Sequence, residues 1–266
     1  MKLKKIDLTF DEAAHVYTLN GNMLAGVTTI LRVMDNPAIN QWKVNQAVAY
    51  IDYGYREGSM PMNAILKEAK TAHRRKSTDA TDVGTEVHDA IKAFLKGNEP
   101  APDHPFSPQA QKAMAQFFKW FKVADIQIEH VEMPVASEEH RFAGTPDLVC
   151  MFAGKRTVVD FKTSSGIYPN YYLQLAAYQM ALEEISEKQP TQEMTWRGDR
   201  MFADIPMDPI HQRMIVRIPK DGAPYEERVV PTDYAFDCKT FLGLLQLSKW
   251  QKHILTMERE DKDGRH

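Results

Sequence analysis

The sequence predicts an α/β or α+β fold in which helices flank a central mixed β-sheet, with a mostly helical elaboration at the amino-terminal end. Helical patterning broken by Gly- and Pro-bearing segments dominates to about residue 123. From residue 126 short β-rich runs take over, each closed by turn-forming residues. Size is the third observation: 266 residues with 43% hydrophobic content can bury one full core around such a sheet.

The elements follow in order. Residues 6–10 and 15–19 alternate like strands ahead of an Asn20-Gly21 turn signal and read as a β-hairpin. Helices are expected at 37–53, 61–75, 81–96 and 107–123, the last two separated by Gly97-Asn98-Glu99-Pro100-Ala101-Pro102. Strands are expected at 126–136, 141–152 and 156–162, then a helix at 170–185 and strands at 214–218 and 227–230. A final helix runs from 232 to about 257, leaving the tail EREDKDGRH frayed. Residues 1–80 read as the hairpin plus a helical cover, and 81–266 as the core, in one compact unit.

Composition narrows the functional classes. No apolar run approaches the ~20 residues of a spanning helix, and the opening MKLKKIDLTFDEAAHVY lacks a secretory apolar stretch, so a cytoplasmic protein is expected. Cys150 and Cys238 are the only cysteines, too few thiolates for a zinc knuckle or an iron–sulfur cluster, and both are expected as buried reduced thiols. The net charge of -3 means that attraction to a polyanion must come from local patches or bound cations. Nothing resembles a phosphate-binding Gly-rich loop, which argues against nucleotide-dependent phosphoryl transfer.

Asp160 and Lys162 lie two residues apart on one strand, so both side chains leave the same face about 6.6 Å apart. The preceding turn, Phe152-Ala153-Gly154-Lys155, is centred between Ala153 and Gly154 whether its loop has two residues or four. Either choice sets Asp147 opposite Asp160, and Thr145 opposite Lys162. A loop centred between Glu138 and Glu139 would place Glu132 opposite Thr145, on the face carrying Asp147. Facing carboxylates repel, and a shared divalent cation removes the conflict. Oxygen ligands suit Mg²⁺ or Mn²⁺, which polarise a phosphodiester and lower the pKa of bound water, with Lys162 placed to orient that water. An exposed strand glutamate accounts equally well for Glu132.

GTPDLV at residues 144–149 followed by VVDFKTS at 158–164 resembles the signature of the PD-(D/E)XK nuclease superfamily. VGTEVHDAIKAFL at 83–95 is similar to the helix of RecB-type nucleases that brings a histidine, here His88, to the metal. Gly84, His88 and Ile91 share one helical face, a pattern that by itself more often marks a core histidine and that the neighbouring motifs turn toward a ligand. YLQLAAYQMAL at 172–182 resembles the family's Q-x-x-x-Y helix, with Gln174 and Tyr178 one turn apart. The resemblance implies a restriction-endonuclease-like core and one or two divalent ions held with help from the Phe161 main-chain carbonyl. It also implies a catalytic set of Asp147, Asp160, Lys162, Gln174 and Tyr178. HVYTLNGNMLAGVTTIL and INQW further resemble the start of phage relatives of the mitochondrial genome maintenance exonuclease, with Ala25-Gly26-Val27 standing where Pro-Ser-Val is expected. That likeness implies a bacterial or phage-encoded exonuclease acting on single-stranded DNA ends, alongside phage or host recombination proteins. An endonuclease of the same superfamily and a catalytically silent DNA-binding relative are the alternatives.

LKEAKTAHRRK at 66–76 concentrates Lys67, Lys70, Arg74, Arg75 and Lys76 against Glu68 alone. It is the candidate phosphate contact, although a solvated helix face gives the same pattern. Trp42, Tyr50, Tyr53 and Tyr55 are candidates for stacking on unpaired bases, and at helical spacing also for packing.

Overall fold

The computed structural model describes residues 7–11, 14–35, 37–58, 60–98, 106–188, 191–196, 199–204 and 209–263. The chain opens with strands β1 (Leu8–Asp11), β2 (Val16–Leu19) and β3 (Asn22–Gly26), an antiparallel meander. Helices α1 (Val27–Leu31), α2 (Pro37–Glu57), α3 (Met62–Ala69), α4 (Ala72–Leu95) and α5 (Pro108–Val123) follow. Then come β4 (Ile126–Val131), β5 (Val135–Ser137), β6 (Phe142–Gly144), β7 (Leu148–Phe152), β8 (Lys155–Lys162) and α6 (Pro169–Lys188). The chain continues through β9 (Thr191–Trp196), β10 (Asp199–Asp204), β11 (Gln212–Arg217), β12 (Glu226–Val229) and α7 (Tyr234–Asp263).

The expected central mixed sheet is present, in the order β12-β11-β8-β7-β4, with β8 and β11 parallel and joined through α6. Its two faces are built by alternation along each strand. Leu148, Cys150, Val159, Phe161, Met214 and Val216 pack with α4 and α5. Phe161 meets the rings of Phe117 and Trp120 edge-on at 5.8 and 5.5 Å. Val149, Val158 and Ile215 face the other way, into a core shared with α1, α6 and α7. Asp160 and Lys162 share the side of Val158, facing α6. Helix α5 starts where Ser107 caps it, accepting from the Ala110 N–H at 3.2 Å with Pro108 in the first turn.

A second sheet, β1-β2-β3-β6-β5, was not foreseen. The runs 126–136 and 141–152, expected as single strands, each cross from one sheet to the other. The first breaks around Glu132, which takes a left-handed φ of 47°, and Pro134; the second breaks at Thr145-Pro146-Asp147. A proline cannot donate to a ladder, so each run leaves its sheet there. The amino-terminal hairpin gains a third strand because Asn20 and Gly21, with φ of 50° and 77°, turn the chain into β3.

Three helix boundaries also differ. The helix expected at 61–75 stops at Ala69, where Thr71 bonds the Glu68 carbonyl through its hydroxyl at 3.2 Å. Its second half merges with the helix expected at 81–96 into α4, since Lys76 to Asp82 contains no proline or glycine. Helix α7 runs to Asp263, so part of the tail expected to fray is helical. The hairpin of β9 and β10 lies in a stretch for which no element was expected. Cys150 is buried and Cys238 half-buried, and both are free thiols. No helix among the described residues is long and apolar enough to cross a membrane.

The turn that sets the β7/β8 register contains a conformational mismatch. Ala153 and Gly154 have φ of 46° and 76°, a conformation that suits Asn-Gly and costs an alanine roughly 1–2 kcal/mol. Ala153 is exposed, so Ala153→Asn should stabilise the protein by about 1 kcal/mol, read as a rise in the denaturant midpoint with unchanged slope.

Candidate active site

The two-residue turn gives the pairing Leu148↔Val159, and one step further along the same register brings Asp147 opposite Asp160, as expected. Asp147 turns its carboxylate across the end of the ladder, where Oδ2 accepts from the Phe161 N–H at 2.7 Å. A strand residue's N–H and C=O point to the same side, so the Phe161 carbonyl also faces this strand end. Thr145 does not pair with Lys162, because it lies in the link between β6 and β7. Its hydroxyl instead bonds the Tyr17 hydroxyl at 2.9 Å.

Glu132 is shifted from its expected partner. The loop joining β5 and β6 is centred one residue later, between Glu139 and His140, as the pairing Ser137↔Phe142 requires. Arg141 permits this by taking a φ of 66°. The same count, continued from Val131↔Leu148, puts Glu132 opposite Asp147 and not Thr145. Its N–H donates to the Asp147 carbonyl at 3.0 Å. Its carboxylate lies 2.5 Å from the Lys92 ammonium.

On the α6 side of the sheet, Lys162 Nζ lies 2.6 Å from Asp160 Oδ2, donates to Gln174 Oε1 at 3.1 Å and sits 4.7 Å above the Tyr171 ring. The Gln174 amide nitrogen donates to Asp160 Oδ1 at 3.2 Å and to the Tyr178 hydroxyl at 2.8 Å. Gln174 therefore holds both charged partners with one amide, and Tyr178 fixes the amide. Gly144 sets where Tyr178 lies: a Cβ there would stand 2.5 Å from the tyrosine ring. The glycine of GTPDLV is thus a close-approach residue.

His88 arrives from α4, which packs on the opposite face and passes the end of β8. Gly84 permits the approach, since a Cβ there would lie 3.2 Å from the Thr163 hydroxyl. One turn later His88 Nδ1 lies 3.7 Å from Asp147 Oδ2, and another turn on Lys92 reaches Glu132. Lys92 and Tyr17 went unrecognised in the sequence. The i, i+4 spacing from His88 could have drawn attention to Lys92, whereas Tyr17 comes from a distant strand with no local signal.

The electrostatics are those of a site short of positive charge. Burial pushes both Asp147 and Asp160 up to about 6, against the opposing pull of the Lys162 ammonium. Burial alone would lower Lys162, but Asp160 and Asp147 more than offset it and hold the ammonium above its ordinary value. Burial lowers His88, and Lys162 lowers it further, which keeps the imidazole neutral and able to ligate.

The residues fit a hard divalent cation. Asp160 Oδ2 is buried, and its partner is the Lys162 ammonium at 2.6 Å. Two carboxylates, a peptide carbonyl, a glutamate and one imidazole form a mostly oxygen donor set, suited to Mg²⁺ or Mn²⁺. Among the described residues no three His, Cys, Asp or Glu side chains stand preassembled at ligating distances. Asp160 and Glu132 are turned toward lysine ammonium groups instead, which supply the missing charge.

Residues 61–254 match the family model of the PD-(D/E)XK nuclease superfamily. The chain belongs to this superfamily. Membership makes it a nuclease by family, a hydrolase whose relatives act on nucleic acid and generally use divalent metals. No curated protein matches the chain. Among solved structures, that of SSO0001 is similar at 15% identity and a TM-score of 0.29, over 52% of this chain and 57% of that one. The likeness thus spans little more than half of either protein.

The expected nucleic-acid contacts are divided between two helices of this nuclease. Lys67 and Lys70 lie at the end of α3, and Arg74, Arg75 and Lys76 in the first turns of α4, all exposed. Arg75 pairs with Glu68 at 2.8 Å and lies over the Tyr50 ring. On α2, Tyr53 and Tyr55 are 64% and 71% exposed and Trp42 37%, so these rings are not packed into a core, whereas Tyr50 is half-buried under Arg75.

Proposed function

We propose that this nuclease hydrolyses DNA phosphodiesters as an exonuclease on single-stranded ends. Asp147, Asp160, His88, Glu132 and the Phe161 carbonyl would hold one or two Mg²⁺ or Mn²⁺ ions. The ion supplies a nucleophilic water at neutral pH and neutralises charge on the phosphate. The observation that carries this reading is Lys162, held by Asp160 and Gln174 beside Asp147, where an ammonium can orient a water and meet developing negative charge. Gln174 and Tyr178 position that lysine. His88, kept neutral, acts as ligand and not as a charged group.

We place the hairpin and helical cover in residues 1–80 and the nuclease core in 81–266, within one cytoplasmic unit through which α4 runs unbroken and in which β3 pairs with β6. Exposed aromatic residues of α2 beside the basic run of Lys67, Lys70, Arg74, Arg75 and Lys76 support single-strand binding, in which rings stack on bases and ammonium groups track phosphates. The test is metal-dependent degradation of end-labelled single-stranded, double-stranded and circular single-stranded DNA. Loss of linear single strands alone is expected, with 5′ and 3′ labels giving polarity. Cleavage of the circle would make the protein an endonuclease, and binding without any hydrolysis would make it a silent relative.

A further inference from the structure

We infer that the cleft between the amino-terminal meander and the strand crossing at Glu132 and Asp147 is a subsite for one unpaired nucleobase beside the reacting phosphate. The inference rests on the proposed single-strand hydrolysis and adds what the substrate places next to the cut. The cleft has a volume of about 250 Å³, which is room enough for one nucleobase.

Its walls suit that occupant. Phe10 and Tyr17 stack at a centroid separation of 4.3 Å, and His15 stands edge-on to Phe10 at 5.3 Å. His15 is exposed and holds a φ of 53°, a left-handed backbone that fixes its ring beside the other two. Thr28, Thr145 and Glu132 line the same space, and the exposed Thr28 side chain carries a hydroxyl of the kind a base edge can bond. Burial pushes Tyr17 up to about 12, so it remains a neutral hydroxyl. Asp147 forms part of the wall, which puts the base next to the hydrolytic centre.

A wider groove of about 1000 Å³ lies on the other side of Thr28 and reaches Gln174. Arg32, Lys43 and Asp35 line it, so a strand lying there meets two cationic side chains and one carboxylate. Thr28 borders both spaces, so the groove and the aromatic cleft adjoin at this residue. A base seated there has left any duplex partner, which ties the subsite to the proposed single-strand substrate.

The test is a fluorescence titration of the full chain in EDTA, with single-stranded oligonucleotides carrying 2-aminopurine at successive positions from one end. Strong quenching at a single position is expected. Phe10→Ala, and separately His15→Gly, should weaken binding of that oligonucleotide about tenfold, in the range of one stacked base. His15→Gly guards against misfolding, because glycine readily adopts the backbone that His15 holds. Uniform quenching along the strand, or quenching unchanged in both variants, would overturn the subsite whether or not the protein cuts DNA. Position-specific quenching without metal-dependent hydrolysis would support the subsite and overturn the hydrolytic reading alone.

Discussion

Asp147→Asn is expected to lower hydrolysis on the order of 10³-fold while making the metal-free protein more stable. Asparagine keeps an oxygen to accept from the Phe161 N–H, now 2.7 Å from Asp147 Oδ2, and removes only the charge. That charge is costly where it stands: burial raises the carboxyl to about 6 from an ordinary value of 3.8. A carboxyl whose folded pKa lies above its unfolded one binds its proton more tightly when folded. Its ionisation therefore opposes folding above about pH 6, and the penalty fades as pH falls from 6 toward 4. Relief of that penalty at neutral pH is on the order of 1–3 kcal/mol. Melts of the metal-free wild type should shift upward between pH 7.5 and 4.5, and those of the variant should shift less. Mg²⁺ or Mn²⁺ should raise the wild-type midpoint and leave the variant's nearly unchanged. A carboxylate kept for structure predicts the reverse, a variant less stable than wild type and still active, and that result would defeat the assignment.

The parts of the site legible in sequence are those governed by local geometry. Asp147 faces Asp160 because a turn centred on Ala153-Gly154 gives the same pairing at either even loop length. Gln174 and Tyr178 are neighbours because they stand one helical turn apart. Glu132 was misplaced by one loop residue, since a left-handed Arg141 is not recognisable in a polar tetrapeptide. The second sheet was hidden because a run crossing between sheets reads like one long strand, and only Pro134 and Pro146 mark where pairing changes hands. Lys92 and Tyr17 join the site through tertiary packing, which no spacing along the chain encodes.

Lys162→Ala separates chemistry from binding. In the wild type one ammonium serves three neighbours: the Asp160 carboxylate, the Gln174 amide oxygen and the Tyr171 ring. Its removal takes away the group placed to orient a water, and cleavage should fall on the order of 10³-fold. The carboxylates remain, and Asp160 is released from a competing cation, so metal affinity near pH 8 should be equal to or tighter than wild type. The effect of pH on that affinity should also change. Lys162 pulls the buried Asp160 down toward its ordinary value, so without it the carboxyl ionises at higher pH, and the lower pH limit of metal binding should move above about 6. Calorimetric Mn²⁺ titrations at pH 6 and 8 read this directly, with DNA binding measured in parallel as a control that the fold and the basic helices are intact. Cleavage within tenfold of wild type would remove Lys162 from the chemistry. Loss of metal binding at both pH values would show that the lysine holds the carboxylates in place and acts through them.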